Sequence, residues 1–298
     1  MDPADSSREI PAVLFGLLCL LGLSSFRVAH GPAKLQAAPP PEMNEVTAKL
    51  LHQYGGLVAG FFLTSAAAAA ALGLAFRKLR HAGALPYGQA PTIPFSSIEL
   101  VTVFLFLISG VFFSAGSTLA LIAVLLLVRF HRLDFGTYFG TNRLPVWKIL
   151  GAGFWIALAA DLPLRLVAAL AEFLGKVFGV PAPPQPAVEI FVRTHNWPSL
   201  SLLLLFILVL APLGEEVLFR GFLYVYLKNR LSRRTALIVT ALLFAFLHFN
   251  WPTFLPLFLF GLLLGVAYEF SGSLLLSIAI HCWFNSFTTG LLLLAKFG

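Results

Sequence analysis

The chain is poor in charge: Asp, Glu, Lys and Arg make up 11% of its 298 residues, against about 25% in soluble domains. With 59% hydrophobic residues and a mean hydropathy of +0.89, that scarcity excludes an ordinary water-soluble globule. Cysteine is nearly absent as well. Cys19 and Cys282 are the two present, both in apolar segments where a disulfide would need two unrelated helices to meet at bonding distance, so two free thiols are expected. The long Leu/Phe/Ala runs lack apolar/polar alternation, which excludes a transmembrane barrel. There is no internal repeat. The formal net charge is +7, but the Lys and Arg residues sit in short loops without forming one basic face, so nucleic acid is not an expected partner.

Uncharged apolar runs are abundant, at 10–26, 55–76, 100–128, 199–213, 236–247, 254–268 and 273–295. A helix needs about 20 such residues to cross a bilayer, and lipid leaves backbone groups no partner except within a helix. The predicted fold is therefore all-α, a polytopic transmembrane helical bundle of about eight or nine spans. Residues 1–54 read as an N-terminal membrane helix and a linker, 55–148 as additional transmembrane helices, and 149–298 as a C-terminal membrane core. The first run has the length of a signal sequence, but Asp2, Asp5, Arg8 and Glu9 ahead of it do not make a positive leader, so a retained helix is expected. The Ala/Pro-rich stretch from Gly31 to Met43 is its linker.

Basic clusters mark cytoplasmic loops. Lys228, Arg230, Arg233 and Arg234 form one, Arg77, Lys78 and Arg80 a second, and Arg129, Arg132, Arg143 and Lys148 a third. The run between the second and third would extend roughly 50 Å as one helix. It is either a hairpin turning near Ser114 to Ser117 or a single long tilted helix. Asn196-Trp197-Pro198 and Asn250-Trp251-Pro252 read as outer turns with interfacial aromatic anchors, and Ser271-Gly272-Ser273 as an inner return.

Charged groups at the bilayer centre cost about 2.5–3.5 kcal/mol each on insertion scales, so those within spans call for a partner or a task. Glu215 lies thirteen residues before Lys228, His248 fourteen after Arg234, and Asn285 thirteen after Gly272. At 1.5 Å per residue all three stand about 20 Å along their helices, with His281 one turn nearer the inner side. Three helices thus bring polar groups to similar depth, which points to a shared buried site. Glu216 and Arg220 are four apart and can pair, which leaves Glu215, about 100° round the helix, to face a different cavity. Pro212 and Gly214 loosen the helix just ahead of the carboxylates. Asp161 and Arg165 form another four-apart pair at comparable depth, with a structural ion pair as the default reading and a cavity lining as the alternative.

These residues stand as Glu215-Glu216-Val217-Leu218-Phe219-Arg220, Phe244-Ala245-Phe246-Leu247-His248 and His281-Cys282-Trp283-Phe284-Asn285. In that order they resemble the marks of the CPBP (CAAX protease and bacteriocin-processing) family: Glu-Glu-x-x-x-Arg, Phe-x-x-x-His and His-x-x-x-Asn. The resemblance covers roughly the last hundred residues, within 149–298; the first half matches no motif. It implies an intramembrane endopeptidase, related to the Ras-converting CAAX endopeptidase, that hydrolyses a peptide bond in a membrane-associated protein or peptide, whether a prenylated CAAX tail, a leader peptide or another membrane segment. By that likeness Glu215 and His248 activate water, His281 and Asn285 stabilise the oxyanion, and Glu216 and Arg220 support them. The family is described as metal-dependent, and Glu215, His248 and His281 match a Zn2+ shell with water in the fourth place. His-Glu-x-x-His is absent, so that route to zinc is not available and a metal-independent glutamate mechanism is the alternative.

The expected partners are membrane lipid and a membrane-associated protein or peptide, and the expected location is the plasma membrane, with the site reached from the cytoplasmic side. Two other classes compete. An ion-coupled transporter would use the same buried groups as a proton relay and predicts inverted repeats. A non-catalytic bacteriocin-immunity-like protein would keep the fold without the chemistry.

Overall fold

A computed structural model describes residues 43–81, 90–91, 93, 95–113, 116–141, 145–179, 186–248 and 250–297. The expected first helix, its linker and Cys19 lie outside the described residues. Among those described, all regular structure is helical. Helix α1 (Met43–His81) has non-helical backbone at Tyr54. It is followed by α2 (Ser97–Phe113), α3 (Gly116–Phe130) and the short α4 (Phe135–Phe139). Then come α5 (Val146–Val177), α6 (Pro186–Arg193), α7 (Trp197–Lys228), α8 (Arg233–Phe246), α9 (Phe254–Ser271) and α10 (Leu274–Phe297).

Among the described residues, five segments are long and apolar enough to cross a membrane: Tyr54–Lys78, Val146–Val177, Trp197–Lys228, Phe254–Ser271 and Leu274–Phe297. The chain is an integral membrane protein. The expected eight or nine spans are not confirmed: the first apolar run lies outside the described residues, and two others fold into shorter pieces. The run at 100–128 divides between α2 and α3, which pack against each other. The hydrogen bond that His131 Nε2, just past the end of α3, donates to Glu99, near the start of α2 (2.7 Å), makes the pair an antiparallel hairpin. Helix α8 has 14 residues, about 21 Å at 1.5 Å per residue, less than the roughly 30 Å hydrocarbon core.

Caps and turns follow local chemistry. Asn196 accepts from the Ser199 amide to start α7, and Ser232 accepts from Thr235 to start α8; each satisfies a helix N–H that has no intrahelical partner. Gly272, at φ 63°, ends α9 and turns the chain directly into α10, a left-handed conformation that glycine adopts freely. Gly140, at φ 72°, sits so close to this turn that a Cβ would fall 2.5 Å from Ser273 Cα.

Helix α10 packs on α5, α5 on α1, and α8 on α9, while α3 packs on α7. The packing between α1 and α5 includes an inserted hydroxyl: buried Ser65 accepts from Leu162 N (3.0 Å) and donates to Leu158 O. It thereby ties α1 to the turn of α5 immediately before Pro163. At the basic end of α7, Lys228, Asn229 and Arg230 donate in turn to the carbonyls of Ala90, Ile93 and Phe95. Lys228 and Arg233, read from sequence as loop charges, also reach Glu269 on α9 (3.2 and 3.6 Å), which is buried and accepts from Tyr224 as well.

Candidate active site

The carboxylate-bearing helix is not a regular α-helix. Residues Phe206–Leu210 and Val217–Tyr224 of α7 are wound as π-helix, on either side of the α-helical segment Ala211–Glu216. Pro212 explains the first widening. Its ring cannot donate and would collide with the carbonyl of the preceding turn, and an inserted residue relieves the clash. The second widening begins immediately after Glu216.

Glu216 and Arg220 are both fully buried and paired at 2.8 Å, as their spacing predicted. Arg220 spends its second nitrogen on the Gly261 carbonyl (2.9 Å) and lies over the Phe244 ring, 4.6 Å from its centroid. That approach is possible because α9 comes very near α8: a Cβ on Gly261 would stand 3.2 Å from Ala241 Cα. Gly261-x-x-x-Gly265 is the readable sign of this contact, since small residues four apart let membrane helices meet closely. The oxygen of Glu216 that takes Arg220 also binds His281 Nδ1 at 2.9 Å. Sequence spacing had no means of showing this bond.

His248 stands in a turn, not within a span as expected: α8 ends at Phe246. The physical reason is a substitution of donors. The His248 amide bonds Ala245 O at 3.3 Å, and the Phe244 carbonyl that it would serve in a continued helix is taken by its own Nδ1 at 2.7 Å. A carbonyl only accepts, so Nδ1 carries the proton and neutral His248 presents a bare Nε2. By the same argument His281 Nδ1 donates to the Glu216 carboxylate.

Both Nε2 atoms face one oxygen. Glu215 Oε2 is 4.0 Å from His248 Nε2 and 3.8 Å from His281 Nε2. It is a buried oxygen with no hydrogen-bond partner. Glu215 and His248 remain partly open, at 28% and 29% side-chain exposure, whereas His281 is at 6%, so the opening lies on the Glu215/His248 side. Asn285, on the same helix as His281, is turned to α7 and donates to Ile207 O at 2.9 Å. The structure thus brings Glu215, His248 and His281 together, sets Glu216 and Arg220 directly behind His281, and engages Asn285 with the backbone.

Asp161 and Arg165 form their pair at 2.7 Å, and Arg165 also bonds Thr288 (3.1 Å), which ties α5 to α10. Cys282 is a free thiol.

The donor set of one carboxylate and two imidazoles, each with its far nitrogen hydrogen-bonded, has the chemistry of a zinc site. At about 2.1 Å per bond, two donors to one ion can stand at most roughly 4.2 Å apart and average about 3.4 Å in a tetrahedron. The observed 3.8 and 4.0 Å lie within the limit but open of the mean. As they stand, no group of three or more His, Cys, Asp or Glu among the described residues is placed to hold a metal ion.

Fold and site define a class first: an integral helical membrane protein with a Glu/His cluster buried between its helices. Residues 197–287 match the family described as type II CAAX prenyl endopeptidase Rce1-like, and this is the region that carries the three motifs of the CAAX protease resemblance. The chain is also similar to an Escherichia coli protein described as an uncharacterized 24.3 kDa protein. The two are 37% identical over 124 residues, 40% of this chain and 55% of that one, so the chain spans about half the length of the curated relative it matches. No solved structure gives a significant match to the chain.

Proposed function

We propose that the protein is an intramembrane endopeptidase that hydrolyses a peptide bond in a membrane-associated, prenylated CAAX-type protein or peptide. The observation that carries this reading is the partnerless Glu215 Oε2, facing two imidazole nitrogens across 4.0 and 3.8 Å. Those gaps are too long for direct hydrogen bonds and suit one bridging water. Such a water donates to the Glu215 carboxylate and to His248 Nε2, so Glu215 is the base that takes its proton as it attacks. His281, held at Nδ1 by Glu216, is oriented as the histidine of a catalytic triad is by its carboxylate. When protonated, it donates from Nε2 to the oxygen that gains charge. Arg220 holds Glu216 in place and offsets its charge.

The zinc that the family resemblance implies would be held by Glu215, His248 and His281, and when bound it supplies Lewis-acid polarisation of the scissile carbonyl. The site is reached from the cytoplasmic face of the plasma membrane. Its partners are lipid and the substrate chain, with no nucleic acid.

The test uses purified full-length protein in proteoliposomes with a farnesylated C-terminal peptide. Glu215→Gln and His248→Ala are each expected to lower kcat at least 100-fold while leaving thermal unfolding close to wild type. Activity that survives either substitution refutes the mechanism, and proton-coupled solute uptake without cleavage would favour a transporter. Metal content measured on the same samples checks the zinc assignment: about one zinc per chain in the wild type, lost in His248→Ala, supports it, and equal content in both refutes that ligand set.

A further inference from the structure

We propose that Asn285 is a positioning residue, one that sets the register of the glutamate helix by capping a carbonyl that Pro212 leaves without a donor. This rests on the peptidase reading above, and assigns Asn285 a task other than the oxyanion contact that the family resemblance implies.

The argument starts from the hydrogen-bond ladder of α7. In the widened turn at Phe206–Leu210 the bonds run from residue i+5 back to residue i, and the Ala211 amide accordingly serves Phe206 O. The next rung would be residue 212 to Ile207 O, but residue 212 is proline and has no N–H. The Ala211 amide, which would serve Ile207 in an ordinary α-turn, is already engaged with Phe206. Ile207 O is thus left without an intrahelical donor at the depth where water cannot replace one, a costly condition for a backbone carbonyl. Asn285 Nδ2 supplies the missing bond at 2.9 Å.

The consequence reaches the carboxylates. A π-turn inserts one residue, rotating everything after it by about 100° relative to what precedes. Whether Glu215 or a neighbour faces the histidines therefore depends on the widened turn being kept. Helix α10 holds α7 at two points, Asn285 on Ile207 and His281 on Glu216, which bracket Glu215 along the helix. The first fixes the register and the second fixes the rotation of the acid pair.

The test is a rescue experiment. Full-length wild type, Asn285→Ala, Pro212→Ala and the double variant are purified in detergent. Thermal midpoints are measured, along with kcat and KM on the farnesylated peptide. Alanine at 212 restores an N–H, so Ile207 O regains a donor from its own helix in either register. We expect Asn285→Ala to lower the midpoint and to lower kcat at least tenfold with KM within twofold. Adding Pro212→Ala should recover at least half of the midpoint loss, and Pro212→Ala alone, which removes the cause of the widened turn, should lower kcat at least tenfold with Asn285 intact. Additive midpoint losses overturn the capping role. Wild-type kcat in Pro212→Ala, beside a tenfold loss in Asn285→Ala, overturns the positioning role in favour of direct contact with substrate. If the wild type cleaves nothing, the peptidase reading fails by itself, and the midpoint cycle still supports or overturns the cap.

Discussion

Removing the guanidinium of Arg220 is the perturbation whose size follows most directly from the structure. The side chain is fully buried and donates to Glu216 Oε1 at 2.8 Å and to Gly261 O at 2.9 Å, with Phe244 beneath it. In Arg220→Met the volume is largely kept, but Glu216 retains only His281, and the Gly261 carbonyl loses its donor. Breaking one side of a buried ion pair costs about 3–5 kcal/mol, most of it the exposure of an uncompensated charge to a medium that cannot solvate it. At roughly 2–4 °C per kcal/mol for a chain of this size, the midpoint should fall by about 10 °C. Tryptophan fluorescence during thermal unfolding in detergent reads this, at a fixed scan rate because membrane proteins unfold irreversibly. The double variant Glu216→Gln/Arg220→Met removes both charges and should recover at least half of the loss. A single variant within 2 °C of wild type, or a double variant no better than the single, would refute the view that charge compensation is what Arg220 provides.

Other outcomes are expected away from the carboxylates. Ser65→Ala deletes the hydroxyl that bridges Leu162 N and Leu158 O; two buried hydrogen bonds contribute about 0.5–1.5 kcal/mol each, so the midpoint should drop by several degrees, and Ser65→Thr should retain most of it. Gly153→Leu should be worse for activity than for expression. A Cβ at Gly153 already meets Ala279 Cβ at 2.8 Å, so the larger side chain pushes α10 away from α5 two residues before His281. Cleavage by Gly153→Leu at the wild-type rate would show that this contact does not place His281.

What the sequence alone determined is what depends on composition and on distances along one helix. Membrane embedding follows from the shortage of charge. The pairing of Glu216 with Arg220, and of Asp161 with Arg165, follows from a spacing of four on a helix, and the expectation of one shared site follows from counting Glu215, His248 and Asn285 to a common depth, with His281 one turn nearer the inner side. The tertiary structure alone decided matters in which partners come from segments remote in sequence. His281 binds Glu216 across 65 positions, and Glu269 draws in the basic residues that had been read as loop charges. The number of crossings was also beyond the sequence, because hydropathy shows where apolar chain lies and not where a helix stops: α8 ends at Phe246 because the side chain of His248 takes the carbonyl its backbone would have served. The same holds at Asn285, placed on the expected face by its spacing from His281. Only the ladder of α7, widened ahead of a proline, showed that its amide is turned to a carbonyl that has no other donor.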